Sequence, residues 1–338
     1  MGRYGGDGPM ILAVGSVLTV LAVFCVVLRA LVASRVNSRW RWDFIWVVAS
    51  TVFGLGSTAL IDAAVFCGLG NDILGLTFPD VFEIVHYSYI SIFLALFATT
   101  FAKWSLIALM LQIQGPTAHK RTIALWVLGG VGGAVNLIQL ILSATQCTPT
   151  ERLWYRALPG SCPRQELAQN FSIFQGSTSA FGDIVLALWP ISIVHKLQTS
   201  LRVKVMFCGL MGLGVLPMIA SVLRVSKVPY INSSPNVTRA FGPFMLWIVI
   251  ELWAIVILTS IPVLRPLFLK IFYGIKSSRA TPSTNVHQTG GTRPSPASQS
   301  KPNAVAMELD DLADSVDGAD DDTAGIMVSR TYKVTGGV

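Results

Sequence analysis

The stretch Phe181-Gly182-Asp183-Ile184-Val185-Leu186-Ala187-Leu188-Trp189-Pro190-Ile191-Ser192-Ile193-Val194, followed directly by His195-Lys196-Leu197-Gln198, governs how the rest of the chain is read. It closes an apolar run long enough to cross a bilayer, holds a carboxylate in its interior, and ends on a basic residue where a helix would leave the lipid. An ionised Asp at mid-membrane costs about 2.5–3.5 kcal/mol on insertion scales, so Asp183 is expected to face a bundle interior or a wet cavity. The other apolar segments are then the suppliers of that interior.

Of the 338 residues, 52% are hydrophobic and 13% charged, against about 25% charged in an ordinary soluble domain. The composition describes an integral membrane protein. The net charge of +7 comes mostly from residues that flank apolar runs, as topology determinants do, and argues for no nucleic-acid partner. Seven spans are expected, approximately 10–33, 43–65, 84–112, 122–146, 169–194, 203–227 and 242–268, each long enough for a hydrocarbon layer of about 30 Å. The first is too long for a signal-peptide core and its basic residues mostly follow it, so cleavage is not expected. The predicted fold class is all-α, a polytopic membrane bundle of seven transmembrane helices with a disordered cytoplasmic tail. Residues 1–9 form a short extracellular N-terminus, 10–268 the membrane domain, and 269–338 a basic juxtamembrane stub and an acidic, Ser/Pro-rich tail. Asp310, Asp311, Asp314, Asp317, Asp320, Asp321 and Asp322 lie in that tail, which has too little apolar surface to offset its ordering entropy.

Orientation follows from the short connections. Eleven Lys and Arg flank one side, among them Arg35, Lys120, Lys196 and Lys270, and six flank the other, among them Arg152 and Arg239. The amino terminus is therefore expected outside and the tail in the cytoplasm, at the plasma membrane or an endomembrane. Two glycosylation sequons, Asn232-Ser233-Ser234 and Asn236-Val237-Thr238, fall on the predicted outer side. So do Cys147 and Cys162, which are expected to form a disulfide across the fourth connection in an oxidising compartment. Cys67 lies near enough to compete for either partner, while Cys25 and Cys208 read as packing residues. The cysteines and histidines show no metal-ligand spacing, so no metal and no cofactor is expected.

Depth sorts the ionisable residues inside the spans. Asp62 and Arg224 lie near the outer ends of their helices, and Lys103, Asp183 and Glu251 lie deeper on three different helices. One cation and two carboxylates at comparable depth invite pairing. Thr99, Thr100, Ser221 and Trp247 share helix faces with these charges, and Asn136 and Gln139 form a polar pair on the fourth span. Two readings stay open. Lys103, Asp183, Trp189, Arg224, Trp247 and Glu251 wall a ligand or catalytic pocket, with Asp183 and Glu251 the candidate catalytic residues. Alternatively, they clamp helices together without binding anything. The glycines Gly129, Gly130, Gly132 and Gly133, with Gly209, Gly212 and Gly214, read as sites of close helix approach.

Taken in order, certain residues resemble the fungal rhodopsin-like domain family. They are Trp42-Asp43, Lys103-Trp104-Ser105, Cys147-Thr148-Pro149 with Trp154, Gly160 and Cys162, then Asp183, Pro190 and Lys196-Leu197-Gln198. The series continues with Arg202, Lys204, Arg224, Leu246-Trp247 with Glu251, and Pro262-Val263-Leu264-Arg265-Pro266-Leu267. The family comprises seven-helix fungal membrane proteins, including receptor-like proteins and mycotoxin-cluster products. The chain departs from it where Gly68-Leu69-Gly70 is followed by Asn71-Asp72 instead of a His, and where Met110-Leu111-Gln112 replaces an aromatic-x-Arg ending. No Lys occurs in 242–268 to hold a retinal Schiff base. The resemblance implies a receptor-like protein that binds an apolar or amphiphilic small molecule and signals to a cytoplasmic partner, within a secondary-metabolite gene cluster. The competing class is a membrane-embedded enzyme or accessory factor of the same metabolism, with a buried carboxylate as acid or base on a lipophilic intermediate.

Overall fold

A computed structural model describes residues 6–36, 42–114, 119–155, 157–194, 201–234 and 236–277. The acidic tail and Lys196-Leu197-Gln198 lie outside the described residues, as do the side chains of Pro190, Arg202, Lys204, Cys208, Gly209 and Gly212. The elements in chain order are α1 (Gly8–Val36), α2 (Trp42–Phe66), α3 (Phe78–Gln114), α4 (His119–Ala144), α5 (Gln165–Val194), α6 (Leu201–Ser233) and α7 (Val237–Ser277). All seven contain a stretch long and apolar enough to cross a membrane, and the described residues contain no strand. The chain is a multi-pass, all-helical membrane protein.

The expected spans are found in order, and the helices overrun them. α3 begins at Phe78 instead of 84, α6 runs on to Ser233 and α7 to Ser277. Apolar content marks where lipid ends, whereas a helix ends only where its backbone ladder loses partners. Two prolines, Pro217 and Pro229, are accommodated inside α6.

α7 is the central element, packed against α1, α2, α3 and α6, whereas α4 touches α3 and α5. Its apolar stretch is 72% buried, against 11% for that of α4. Trp253 on α7 is fully enclosed, with its indole N–H donating to Thr58 Oγ1 at 3.2 Å, and Gly54 of α2 leaves the space that its ring fills. α2 and α3 approach closely through small hydroxyls: Ser57 and Ser91 meet at 2.9 Å, and Ser50 donates to the Ala98 carbonyl at 2.8 Å. The outward faces are apolar, with Val17, Val20 and Phe24 on α1 and Trp126, Val127 and Val131 on α4 exposed, as lipid contact requires.

The glycines of α4 divide. Gly129 and Gly133 face Trp104, whose indole N–H donates to the Gly129 carbonyl at 3.0 Å, while a Cβ on Gly130 or Gly132 would meet open space. Only the first two serve close packing. Gly214 lies against Ala187.

Candidate functional site

Three polar regions stack along the bundle, and the deepest is a ring of side chains. Lys103 on α3 pairs with Asp183 on α5 at 2.9 Å and donates to Ser179 Oγ at 2.7 Å. Ser179 Oγ in turn donates to Glu251 Oε1 on α7 at 3.0 Å, and Arg224 Nε on α6 pairs with Glu251 Oε2 at 2.7 Å. Arg224 Nη1 reaches Gln175 Oε1 at 3.4 Å, Gln175 Nε2 donates to Asn136 Oδ1 on α4 at 2.7 Å, and Asn136 Nδ2 donates to Thr100 Oγ1 at 2.7 Å. Thr100 is back on α3, one turn before Lys103, so the circuit closes across five helices. Ser221 occupies the second oxygen of Asp183 at 3.1 Å. The two cations offset the two carboxylates.

The depth ordering read from the sequence needs one correction. Arg224 does not form a shallow layer with Asp62; its long side chain reaches Glu251. Asp62 is half-buried on α2 and has no hydrogen bond or ion pair among the described residues. The two tryptophans expected beside the charges are half-buried. Trp189 packs on a separate apolar cluster around Leu106, Leu125 and Leu258, and neither it nor Trp247 lines the cavities described below. Asn136 and Gln139 also part company: Asn136 enters the ring and Gln139 faces the cavity above it.

A third buried ion pair lies at the end of the bundle opposite the disulfide, and the sequence reading missed it. Arg29 Nη2 meets Asp43 Oδ2 at 2.5 Å with both residues 1% exposed, and Arg29 Nη1 donates to the Thr259 carbonyl at 2.9 Å. Gln112 donates to Asp43 Oδ1 at 2.9 Å, so the residue that departs from the family pattern is an anchor in this chain. Arg29 falls inside the first expected span, 10–33, and was not counted among its ionisable residues. The clue was Asp43, a carboxylate opening the next helix.

The third region is at the disulfide end. Cys147 and Cys162 are bonded, and Thr148 and Ser161 form an antiparallel bridge beside them. Cys67 stands apart, its thiol 3.3 Å from Glu83 Oε2. Gly68 and Gly70, at φ values of 111° and 93°, turn the chain so that the Gly70 N–H donates to the Thr238 carbonyl at the start of α7. Asn232 lies in the last turn of α6, with its side chain outside the described residues, and Thr238 of the second sequon is buried with its hydroxyl donated to the Asn71 carbonyl at 2.9 Å.

Beneath the disulfide loop is a cavity of about 490 Å³, bounded by α3 to α7. Its polar wall includes Gln139, Gln146, Gln165 and Gln169, with Ser143 and Ser172. Among the described residues Arg152 is the one lining residue with a formal charge, and its guanidinium donates to the Leu158 carbonyl. Gln139 is 7% exposed; its Nε2 donates to Ser143 Oγ at 2.8 Å and faces the Ala168 carbonyl at 3.5 Å, while its Oε1 has no partner among the described residues. Only an N–H suits that carbonyl, which fixes the orientation of the amide. Gln146, 6% exposed, makes no side-chain hydrogen bond among the described residues.

A smaller cavity of about 260 Å³ adjoins it, lined by Phe78, Phe82, Trp154 and Tyr155, among others. Tyr89, Val237 and Phe241 line both and form the shared wall. Among the described residues, no three or more His, Cys, Asp or Glu converge as metal ligands. Lys270 and Lys276 belong to α7 but lie beyond its apolar span, Val237–Pro262.

No solved structure matches the chain. A curated relative, "Fugralins biosynthesis cluster protein 2" of Gibberella zeae, is 19% identical over 219 residues, covering 61% of this chain and 54% of its own length. The chain thus spans about half the length of that relative. The sequence profile of the fungal rhodopsin domain matches residues 28–270, which take in the end of α1 and the six spans that follow it, and the chain belongs to this family.

Proposed function

We propose that the protein is a receptor-like membrane protein that takes an apolar or amphiphilic small molecule into the cavity beneath the disulfide loop and relays its presence to the opposite face. The carrying observation is the cavity itself. Its volume, about 490 Å³, lies within the range of ligand pockets, and its wall sets glutamine and serine side chains and Arg152 against apolar residues such as Ile92, Val228 and Phe244. The excess of Lys and Arg at the opposite end supports an outward-facing cavity and a cytoplasmic tail available to a signalling partner. The relative's name supports a setting in secondary metabolism.

Native mass spectrometry of protein purified from the native host tests ligand binding. The expected result is a co-purifying small molecule that is missing from Ser172→Phe, a variant that fills the cavity. Identical lipid adducts on both proteins would overturn the reading. Orientation has its own test: a tail epitope reachable from outside intact cells refutes it. A glycan shift abolished by Asn232→Gln with Asn236→Gln supports it.

The same relative favours a second reading, a biosynthetic enzyme that uses Asp183 or Glu251. The geometry weighs against it, because both oxygens of each carboxylate already accept from protein donors. Under the receptor reading, Asp183→Asn and Glu251→Gln leave the host's lipophilic metabolites unchanged wherever folded protein persists. An accumulated precursor would reverse the choice.

A further inference from the structure

We infer that one uncharged amphiphile occupies both chambers at the disulfide end, donating a hydroxyl or amide hydrogen to Gln139 Oε1 and laying a flat apolar portion among Phe82, Trp154 and Tyr155. This rests on the receptor reading of the larger cavity and specifies its ligand. Three observations carry it.

The first is the orphaned acceptor. Gln139 Oε1 is buried, has no partner, and belongs to a residue that lines the cavity. A buried acceptor without a donor bears its full desolvation penalty, so a ligand that brings an O–H or N–H gains more there than one that brings only acceptors. The second is charge. Among the described residues no carboxylate lines either chamber to receive a cation, Glu151 lying on a more open groove beside Phe78 and Tyr155, and the guanidinium of Arg152 is engaged by Leu158. An anion would supply acceptors where a donor is needed. The third is the smaller chamber. Tyr155 sits edge-on to Phe82 at 5.6 Å and to Phe78 at 6.4 Å, leaving a slot suited to an aromatic or polyene group. Phe78, 68% exposed, is part of its lining. Tyr89 and Phe241, 6.2 Å apart, separate this slot from the glutamine chamber, so a single ligand passing beside them meets both chemistries.

Equilibrium binding of three tritium-labelled probes to the full chain in lipid nanodiscs tests the inference, with empty nanodiscs subtracted. The probes are a naphthyl alkanol, its methyl ether and the matching naphthyl carboxylate. The alkanol is expected to bind about three- to tenfold tighter than the ether, the effect of one net hydrogen bond. Gln139→Met is expected to erase that ratio by weakening the alkanol alone, and Phe82→Ala to weaken alkanol and ether together. The ratio is measured on the unmodified protein, so it stands even if a variant fails to fold. Equal binding of alkanol and ether, or tightest binding of the carboxylate with its advantage lost in Arg152→Gln, would overturn the ligand class and leave the cavity as a binding site. No protein-dependent binding of any probe, together with no co-purifying molecule lost in Ser172→Phe, would overturn both.

Discussion

The polar ring and the glutamine cavity are neighbours on α4 and α5 and have opposite hydrogen-bond economies. In the ring, every carboxylate oxygen accepts from a named donor and the formal charges cancel. In the cavity, Gln139 Oε1 and the Gln146 side chain have no partner among the described residues. A saturated cluster can hold helices but has nothing left with which to recognise a ligand; an unsaturated one can recognise but stabilises little. Charge, the feature most conspicuous in the sequence, therefore points to architecture here. The proposed recognition surface consists of amides that look unremarkable in one dimension.

The largest test of this contrast is to strand a charge. Glu251→Leu leaves Arg224 buried without its carboxylate and should cost about 3–5 kcal/mol, while Arg224→Met with Glu251→Leu should recover most of it. Thermal unfolding followed by fluorescence-detected size exclusion measures both. If the single change is tolerated, the ring is not structural. The Arg29–Asp43 pair should behave alike: Asp43→Leu lowers folded protein, and adding Arg29→Leu restores much of it.

Opening the disulfide with Cys147→Ser and Cys162→Ser should cost about 3 kcal/mol, the entropy of a loop of this length. It should also weaken probe binding, whereas the pairing within the ring should persist. Breaking a neutral link is milder. Gln175→Leu, which leaves Asn136 and Arg224 each short of one contact, should cost about 1–3 kcal/mol. The smallest stability effect is expected at Gln146→Leu, within about 1 kcal/mol, because that side chain gives up no protein hydrogen bond. A larger loss there would mean that the cavity is part of the scaffold.

Much of the fold is legible in the sequence because lipid imposes a simple rule. Seven apolar stretches, each followed by polar connections, yield seven helices in the expected order. The disulfide could also be read, since Cys147 and Cys162 bracket one connection. The site is only partly legible. Lys103, Asp183 and Glu251 announce themselves as costly in lipid, but two of the links that join them, Ser179 and Gln175, are inexpensive in a helix and carry no such signal. Arg224 was placed by its Cα, and its guanidinium acts deeper than that. Gln146, Gln165 and Gln169 lie around a connection and a helix start, where a polar residue normally means water. That they enclose a cavity depends on how α3 to α7 rotate against one another, a relation that no single helix's periodicity records.

Finally, the ring draws its last member from the last span, and this has a bearing on synthesis. The chain is made from α1 onward, so Lys103 waits through the whole of α4 before Asp183 emerges to meet it. Arg224 then waits for Glu251 on α7. A product truncated after α6 carries a guanidinium within the bilayer with no carboxylate to receive it, a state that lipid penalises and quality-control proteases can recognise. The circuit is thus complete only in chains that reach α7, and a shorter one leaves Arg224 uncompensated.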